Sequence, residues 1–361
     1  MEKKVCTVLG DICPEKMGYT SMHDHTFLTM ESAANYMESI FFDVQREKLS
    51  FIPENYDYLK GGAFLLCKEL QVIDDLDGLV KEYQYFADLG GKTVVDAAPS
   101  TARGDIRKMA ELSRRTGLNI ICATGIYHDT AIPSELKGRD ANFYYEYMKR
   151  EVTEGIDGTE IRPGMLKGAL NTCSETERNV IEACMKLSAE TGMSVHIHTE
   201  PTVEGDDIVS IVDELSNKYR IDPDRVHICH MDNRLIASTM VTDFLEDISV
   251  QRELDLTVQK KLLSKGYSIG LDTWGMPIQN PNMFMPDDFD RLKALITLID
   301  LGFEDQITLG NDFSSKIEWR AYGGSGCTRF ADFGGMMMEL LGREDQYHKL
   351  VYENPMRIMQ F

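Results

Sequence analysis

The stretch GYTSMHDHTFL, residues 18–28, places two histidines two positions apart at the end of an apolar, β-prone run. Residues i and i+2 of a β-strand point to the same face, so His23 and His25 would present their imidazoles side by side. Imidazole is the commonest metal ligand among protein side chains. The spacing therefore predicts either a metal site or a polar strand end.

Residues of the same ligand types end other apolar runs of the chain. His198 ends VHIH, His230 ends VHICH and Asp312 ends ITLGND. A single histidine at a strand end is more often a hydrogen-bonding group than a ligand. A set drawn from several strand ends predicts a metal centre when the fold brings those ends together.

Lys167, in the apolar run MLKGAL (165–170), needs a separate explanation. A lysine inside an apolar strand would be a buried cation, which is costly unless it is neutralised or paired. Burial near positive charge favours the neutral amine, which reacts with carbon dioxide to give a carbamate whose two oxygens can bridge two metal ions. The alternative is a salt bridge to an acid such as Asp96 or Asp272.

Strand-like and helical runs alternate along the chain and would position these residues. The strand-like runs are 18–23, 92–98, 118–125, 165–170, 193–200, 225–232, 267–275 and 306–313. Helical periodicity lies between them, as in 105–117, which ends at Gly117, and in 174–192, where Ser174 and Glu177 predict a capping box.

This alternation is typical of an α/β fold with a parallel sheet, and eight units fit a closed (β/α)8 or TIM barrel, whose chemistry lies at the carboxyl ends of the strands. An open doubly wound sheet is the alternative, but the glycine-rich phosphate turn expected after its first strand is absent. We expect one domain over residues 1–361, with a helical insertion around 29–90 near the barrel mouth.

The amino-acid composition indicates which kinds of molecule the protein binds. The net charge of −21 and the pI of about 4.8 disfavour nucleic acids and anionic membrane surfaces. The apolar runs are too short to span a bilayer, and the first residues lack the apolar region of a signal peptide. The eight cysteines are scattered without a C-x-x-C pair. We therefore expect a cytoplasmic protein with reduced thiols and a small-molecule substrate.

The remaining histidines receive weaker assignments. His227 lies three residues before His230, so the period of two predicts a structural residue on the opposite face. His196 lies two residues before the histidine that ends the fifth run and would be structural or support the ligands. His128, after the third run, could contact substrate, and His348 is expected in solvent.

The segments TVLGDICPEKMGYTSMHDH, MLKGAL, VHIHTE, RVHICHMD, ITLGNDF and ENPMRIM resemble, in order and spacing, the phosphotriesterase-like branch of the amidohydrolase superfamily over essentially the whole chain. The resemblance implies a (β/α)8 barrel with two divalent ions, usually zinc and sometimes manganese or cobalt, and hints at a homodimer. The implied ligands are His23, His25 and Asp312 for the more buried ion, His198 and His230 for the more exposed ion, and carboxylated Lys167 with a hydroxide as bridges.

The implied reaction is attack of that hydroxide on a carbonyl or phosphoryl group, with Asp312 taking the proton. Tyr127, in ATGIY after the third strand, resembles a pocket residue that leans toward the substrate oxygen. The sequence differs from these relatives in two places, one on the route by which the proton leaves and one in the loop that binds the substrate. Asn233 stands where many relatives have an aspartate that passes the proton out, and the loop TWGMPIQNPNMFMPDD lacks the lysine of relatives that act on phosphorylated sugar lactones.

The loop after the eighth strand offers other groups for an anionic substrate: Lys316, Arg320, Tyr322 and Arg329. A solvated loop is the alternative. We therefore predict a metal-dependent hydrolase that opens lactones or cleaves carboxylic esters of a small, polar substrate, including phosphorylated or carboxylated ones. Phosphoester or organophosphate hydrolysis and amide hydrolysis on the same centre are alternatives. A non-catalytic metal-binding barrel is disfavoured by the intact ligand set.

Overall fold

A parallel eight-stranded sheet forms the centre of the protein, whose computed structural model describes residues 3–29, 50–60, 67–236, 253–276 and 285–361, together with 246, 247 and 249. The strands are β1 (Tyr19–Asp24), β2 (Gly91–Asp96), β3 (Asn119–Gly125), β4 (Met165–Leu170), β5 (Val195–Thr199), β6 (Val226–Ile228), β7 (Ser268–Leu271) and β8 (Ile307–Leu309). Each strand pairs in parallel with the next one along the chain.

Backbone hydrogen bonds join the last strand to the first. Just beyond β8, the N–H groups of Asn311 and Asp312 donate to the carbonyl of His23 at 3.3 and 2.9 Å. The N–H of His25 donates to the carbonyl of Phe313 at 3.0 Å. The sheet is therefore a (β/α)8 barrel, which confirms the predicted fold and excludes the open doubly wound alternative.

Helices surround this barrel and connect its strands. They are α1 (Tyr56–Lys60), α2 (Leu76–Asp88), α3 (Ile106–Thr116), α4 (Ala141–Glu154), α5 (Glu175–Thr191), α6 (Gly205–Tyr219), α7 (Thr257–Ser264), α8 (Asp288–Asp300), α9 (Met336–Leu340), α10 (Glu344–His348) and α11 (Asn354–Met359). Gly117 and Gly192 end α3 and α5 in the left-handed conformation, at φ 71° and 78°.

The predicted capping box of α5 forms only in part. The Ser174 hydroxyl accepts from the N–H of Glu177 at 3.2 Å. The Glu177 carboxylate does not return to Ser174 but accepts from the N–H groups of Asn171, Thr172 and Asp129 at 3.0, 2.9 and 3.0 Å. It therefore holds the loops that follow β3 and β4, on the side of the barrel where the predicted site residues lie.

The amino end of the barrel is closed by apolar contacts. A short antiparallel ribbon pairs Val5–Thr7 with Gly10–Ile12. Its Val5 shares a buried cluster with Ile121 and Met165 of the barrel strands and with Ile358 of α11. These buried side chains fill the end of the barrel opposite the carboxyl ends of the strands, where the predicted site residues lie.

The segment 29–90 is described in part. Leu28–Thr29 pairs with Val72–Ile73, and α1 and α2 follow the barrel surface. Residues 30–49 and 61–66 of the predicted helical insertion lie outside the described residues, so the insertion stays a prediction. None of the described helices is long and apolar enough to cross a membrane.

Candidate metal centre

His23 of β1 and His25, just beyond this strand, meet the aspartate that follows β8. The ring centroids of His23 and His25 lie 5.3 Å apart. His25 Nε2 lies 2.9 Å from Asp312 Oδ1, and His23 Nε2 lies 3.6 Å from the same oxygen. The i, i+2 spacing thus brings both imidazoles to one carboxylate at the seam where the barrel closes.

His230 and Asp312 lie beyond their strands in left-handed backbone, at φ 60° and 51°. The sequence predicted strands through 232 and 313, whereas β6 ends at Ile228 and β8 at Leu309. The left-handed turn points His230 toward β1, so its ring centroid lies 4.6 Å from that of His23. Its Nδ1 lies 4.0 Å from Asp312 Oδ2.

The prediction that His227 faces away from His230 is wrong. His227 is fully buried inside the barrel, with Nε2 2.8 Å from Thr308 Oγ1 and its ring centroid 4.7 Å from that of His196. The two-residue alternation stops with the strand at Ile228, and the left-handed backbone turns His230 back inward. Both histidines therefore reach the interior, at different depths.

Asp272, which follows β7, connects ligands predicted for different ions. Its Oδ2 lies 2.9 Å from His23 Nδ1, and its Oδ1 lies 2.9 Å from His230 Nδ1 and accepts from the N–H of His230 at 2.8 Å. Sequence reasoning named Asp272 only as a partner for Lys167. Its position at the end of a barrel strand was the signal that could have found it.

Lys167 of β4 is 1 % exposed and has no carboxylate partner among the described residues. Its Nζ lies 3.4 Å from His23 Nε2 and 3.4 Å from Cys229 Sγ. The Asp96 carboxylate instead accepts from backbone N–H groups of the loops after β1 and β2, and Asp272 is occupied by two histidines. The salt-bridge alternative is therefore not formed here.

An aromatic wall stands on the side of β5. The ring centroids of His198 and His230 lie 4.6 Å apart, and the Tyr127 ring lies 5.2 Å from that of His198. His128 stacks on His198 at 6.4 Å. Glu200 Oε1 lies 3.2 Å from His198 Nε2. Glu200 was not singled out from the sequence, although it follows a predicted ligand by two positions.

A cavity of about 40 Å³ lies among these side chains. It is lined by His23, His25, Leu28, Ala97, Pro99, Ala102, Tyr127, Lys167, His198, Asp312 and Ser314. Five of the six predicted ligands thus share one cavity with Tyr127. His230, the sixth, contacts the rings of His23 and His198.

Burial and charge set the protonation of these groups. Burial lowers the pKa of His23 well below its ordinary value, and burial lowers the pKa of His198. Burial alone would raise the pKa of Asp312, but His230, His25 and His23 hold it below the ordinary range. Against the effect of burial, Asp272 and Asp312 raise the pKa of His230 to about 9. Neutral imidazoles and an ionised carboxylate are the forms that bind a divalent cation, so His230 would lose a proton when an ion binds.

The donor set fits divalent cations. One ligand atom from each of His23, His230 and Asp312 lies within 4.8 Å of the others. Imidazole nitrogen and carboxylate oxygen suit zinc and its neighbours in the first transition row. Carboxylation would give the isolated amine of Lys167 the negative charge that such a site requires.

The four residues predicted to hold an anion lie away from this cavity among the parts of the chain that the structure describes: Lys316, Arg320, Tyr322 and Arg329. Each arginine pairs with an aspartate, Arg320 with Asp332 and Arg329 with Asp288, both at 2.7 Å. The ring of Tyr322 and the amine of Lys316 lie 6.3 and 6.0 Å from the Trp319 ring. Their contact with substrate stays a prediction.

Contacts with α8 and with the segment after β7 hold Asp232 and Asn233. These two residues lie at or beside the position where many relatives have the aspartate that passes the proton out. Asp232 Oδ2 accepts from the N–H of Thr273 at 2.9 Å and from Arg291 Nε at 3.1 Å. Asn233 Oδ1 accepts from the Thr273 hydroxyl at 3.1 Å. Asp232 therefore serves a buried ion pair with Arg291.

A (β/α)8 barrel with imidazole and carboxylate donors at the carboxyl ends of its strands is typical of metal-dependent enzymes. The sequence profile of the phosphotriesterase family matches residues 3–359, and the chain belongs to this family, as the resemblance predicted. It is 26 % identical over 361 residues to the N-acetyltaurine hydrolase of Xenopus tropicalis, covering 99 % of this chain and 98 % of that protein. The human N-acetyltaurine hydrolase is 25 % identical over 362 residues with the same coverage.

Solved structures share the fold. A resiniferatoxin-binding protein from Rhodobacter sphaeroides superposes with a TM-score of 0.84 at 22 % identity, covering 99 % of this chain and 94 % of that one. A lactonase from Listeria monocytogenes superposes with a TM-score of 0.73 at 23 % identity, covering 99 % and 98 %. The family is binuclear and metal-dependent, which agrees with the donor set described above.

Proposed function

We propose that this protein hydrolyses the acyl bond of a small polar molecule, opening a lactone or cleaving a carboxylic ester. The observation that carries the proposal is the convergence of imidazoles, a carboxylate and a buried lysine on one cavity at the carboxyl end of the barrel. His23, His25 and Asp312 would hold one divalent ion and His198 and His230 the other, with carboxylated Lys167 between them. When bound, the ions supply a water of lowered pKa and polarise the scissile carbonyl.

Asp312 is suited to accept the proton of that water. Its carboxylate faces the cavity, with Oδ1 2.9 Å from His25 Nε2. A general base must lie within hydrogen-bonding reach of the proton that it accepts. The Asp312 carboxylate meets this condition because it lines the cavity in which the water would be held. It would then pass the proton to the leaving oxygen or to solvent.

Tyr127 and the apolar wall would orient the substrate. The Tyr127 ring stands against His198, and burial raises the pKa of its phenol well above the ordinary value. The phenol therefore remains a neutral hydrogen-bond donor for the substrate oxygen. Leu28, Ala97, Pro99 and Ala102 line the cavity beside it and would exclude water from the reacting bond.

Amide hydrolysis is the second candidate. It is favoured by relatives that match over nearly their whole length and are named N-acetyltaurine hydrolases. An amide needs its leaving amine protonated, which gives the proton from Asp312 a larger role than in lactone opening. Glu200, 3.2 Å from His198, is a further acid near the cavity that could assist.

The test is a hydrolysis assay of the zinc- or manganese-loaded protein. A pH indicator follows the lactones, esters and phosphoesters, and detection of the freed amine follows the amides, because an amide gives a carboxylate and an ammonium ion at neutral pH and releases no net proton. The panel holds γ- and δ-lactones, matched esters, N-acetyl amides and phosphoesters, each with and without a phosphate or carboxylate group. We expect acid release from lactones or esters. Freed amine from the amides alone would replace the first candidate by the second, and acid release from the phosphoesters alone would overturn both.

Asp312→Asn provides the blank for this assay. We expect the variant to keep the fold, checked by circular dichroism, and to lose turnover by orders of magnitude, because an amide cannot accept the proton. Unchanged turnover would refute the assignment of Asp312 as the base. A faster reaction with anionic substrates, abolished by Lys316→Ala, would support the predicted anion contact.

A further inference from the structure

A layer of polar side chains lies inside the barrel, deeper than the candidate metal centre. His196 of β5, His227 of β6 and Ser268 of β7 are neighbours in register across parallel strands, and all three are completely buried. Cys229, just beyond β6, is also completely buried. Barrel interiors are normally filled by bulky aliphatic side chains, so this layer calls for a chemical explanation.

Three of these side chains converge on one point. Cys229 Sγ lies 3.7 Å from His227 Nδ1, and the His227 ring centroid lies 4.7 Å from that of His196. One nitrogen or sulfur atom from each of the three lies within 4.8 Å of the others. In a tetrahedral zinc site, bonds of about 2.3 Å to sulfur and about 2.0 Å to nitrogen separate those two ligand atoms by about 3.5 Å.

Two atoms of the layer have no hydrogen-bond partner in the described part of the chain: His196 Nδ1 and Ser268 Oγ. The far nitrogen of each ring is anchored, since His196 Nε2 lies 3.1 Å from Ser194 Oγ and His227 Nε2 lies 2.8 Å from Thr308 Oγ1. A hydrogen bond at one nitrogen is what orients a histidine that binds metal through the other. Buried polar atoms without partners are rare, so an occupant is expected here.

We propose that His196, His227 and Cys229 form a further cation site inside the barrel, which takes a zinc-class divalent ion. Thiolate and imidazole together select zinc over the harder magnesium, calcium and manganese ions. The thiol proton leaves to solvent when the ion binds. Ser268 or a water fills the fourth position.

The role of this ion is to fix the segments that carry two of the six predicted ligands. His196 lies two residues before His198, and Cys229 directly precedes His230. Cys229 Sγ also lies 3.4 Å from Lys167 Nζ, so the ion would stand behind the bridging lysine. The inference uses none of the six predicted catalytic ligands and does not depend on the proposed reaction.

The absorption spectrum of the cobalt-loaded protein distinguishes this site from the catalytic centre. Cobalt(II) bound to a thiolate gives an intense near-ultraviolet sulfur-to-metal charge-transfer band, which a centre of nitrogen and oxygen ligands lacks. We expect the band in the cobalt-loaded wild type and its loss in Cys229→Ser. Cys184→Ser is the matched control and should keep the band, because Cys184 is a buried cysteine of α5 whose thiol contacts Met148.

Zinc content measured by mass spectrometry gives the second readout. We expect Cys229→Ser and His227→Gln each to bind one zinc ion per chain fewer than the wild type and Cys184→Ser. Circular dichroism identifies any variant that fails to fold, and His227→Gln keeps the thiol in place. A wild type without the sulfur band and with the same zinc content as both variants would overturn the proposal and leave a buried water as the occupant.

Discussion

Asp272 is the residue through which the two halves of the candidate metal centre are connected. Its two oxygens accept from the Nδ1 positions of His23 and His230, so Nε2 is the nitrogen that each imidazole would offer to a metal ion. It is completely buried, and the histidines hold its pKa well below the ordinary value against the effect of burial. One carboxylate thus fixes the tautomer and direction of two predicted ligands.

Asp272→Asn should weaken metal binding by about 10–100-fold, the usual effect of removing such a partner. An asparagine has one oxygen and one amide group, so it can accept from only one of the two rings. Competition with a chromophoric chelator measures the change. Asp232→Asn is the control, since Asp232 contacts Thr273 and Arg291 but no predicted ligand. Equal affinities in the two variants would contradict the role of Asp272.

Lys167→Ala should release metal and regain it when acetate is added. The truncation leaves a buried space next to His23 in which a short carboxylic acid can replace the bridging carbamate. Metal content with and without acetate is the measurement. Lys167→Met is the control, because it fills the space and should gain nothing from acetate. Full metal content in Lys167→Ala without acetate would rule out the carbamate.

At the scale of elements, the turn after β8 holds a buried acid near the site. Glu318 ends a 3-10 turn over Lys316–Glu318, and its Oε2 accepts from the N–H groups of Ser314 and Ser315 at 2.7 Å each. Burial raises its pKa to about 8. The folded protein therefore keeps this acid protonated at pH values where the unfolded chain ionises it.

Stability should consequently fall as the pH rises from 4.5 to about 8, the window between the ordinary and the raised pKa of Glu318. Glu318→Gln stays neutral, can still accept the two N–H bonds, and should flatten this decline. Urea unfolding at intervals across the window is the measurement. The exposed Glu339→Gln should leave the slope unchanged. A Glu318→Gln slope equal to that of the wild type would show that the carboxyl is ionised throughout.

The elements also show where sequence reasoning succeeds. The alternation of strands and helices could be predicted because buried parallel strands are continuous apolar runs. The barrel was then predicted from the number of these runs, which is eight. The directions of His227 and His230 were not legible, because they depend on a left-handed residue that the pattern of apolar residues does not mark. Ion pairs such as Arg329–Asp288 join distant segments and could not be read from the loop alone.

At the scale of the whole molecule, the site lies on the seam of the barrel. The hydrogen bonds that close the sheet run from Asn311 and Asp312 to the His23 carbonyl, and both Asp312 and His23 are predicted ligands. His25 directly follows β1, and the other three predicted ligands come from β4, β5 and the segment after β6. Metal bound by this set would link both ends of the sheet with its middle.

Removal of metal should therefore lower the melting temperature of the whole barrel. Ions that bind only the folded chain add about 2.7 kcal/mol of stability at 100 times their dissociation constant. Calorimetry before and after dialysis against a chelator should show a drop of several degrees, reversed by zinc. Asp312→Asn should show a smaller drop. An unchanged melting temperature after verified metal loss would contradict this coupling.

The left-handed backbone at His230 and Asp312 lowers the stability of the folded chain. A side chain other than glycine at such φ values costs about 1 kcal/mol or more, so glycine would suit both positions better in the absence of metal. If variants were selected for heat resistance alone, glycine would be expected to replace both residues, and the resulting barrel would be more stable but inactive. Under the proposed function, selection for turnover keeps the two strained residues in place.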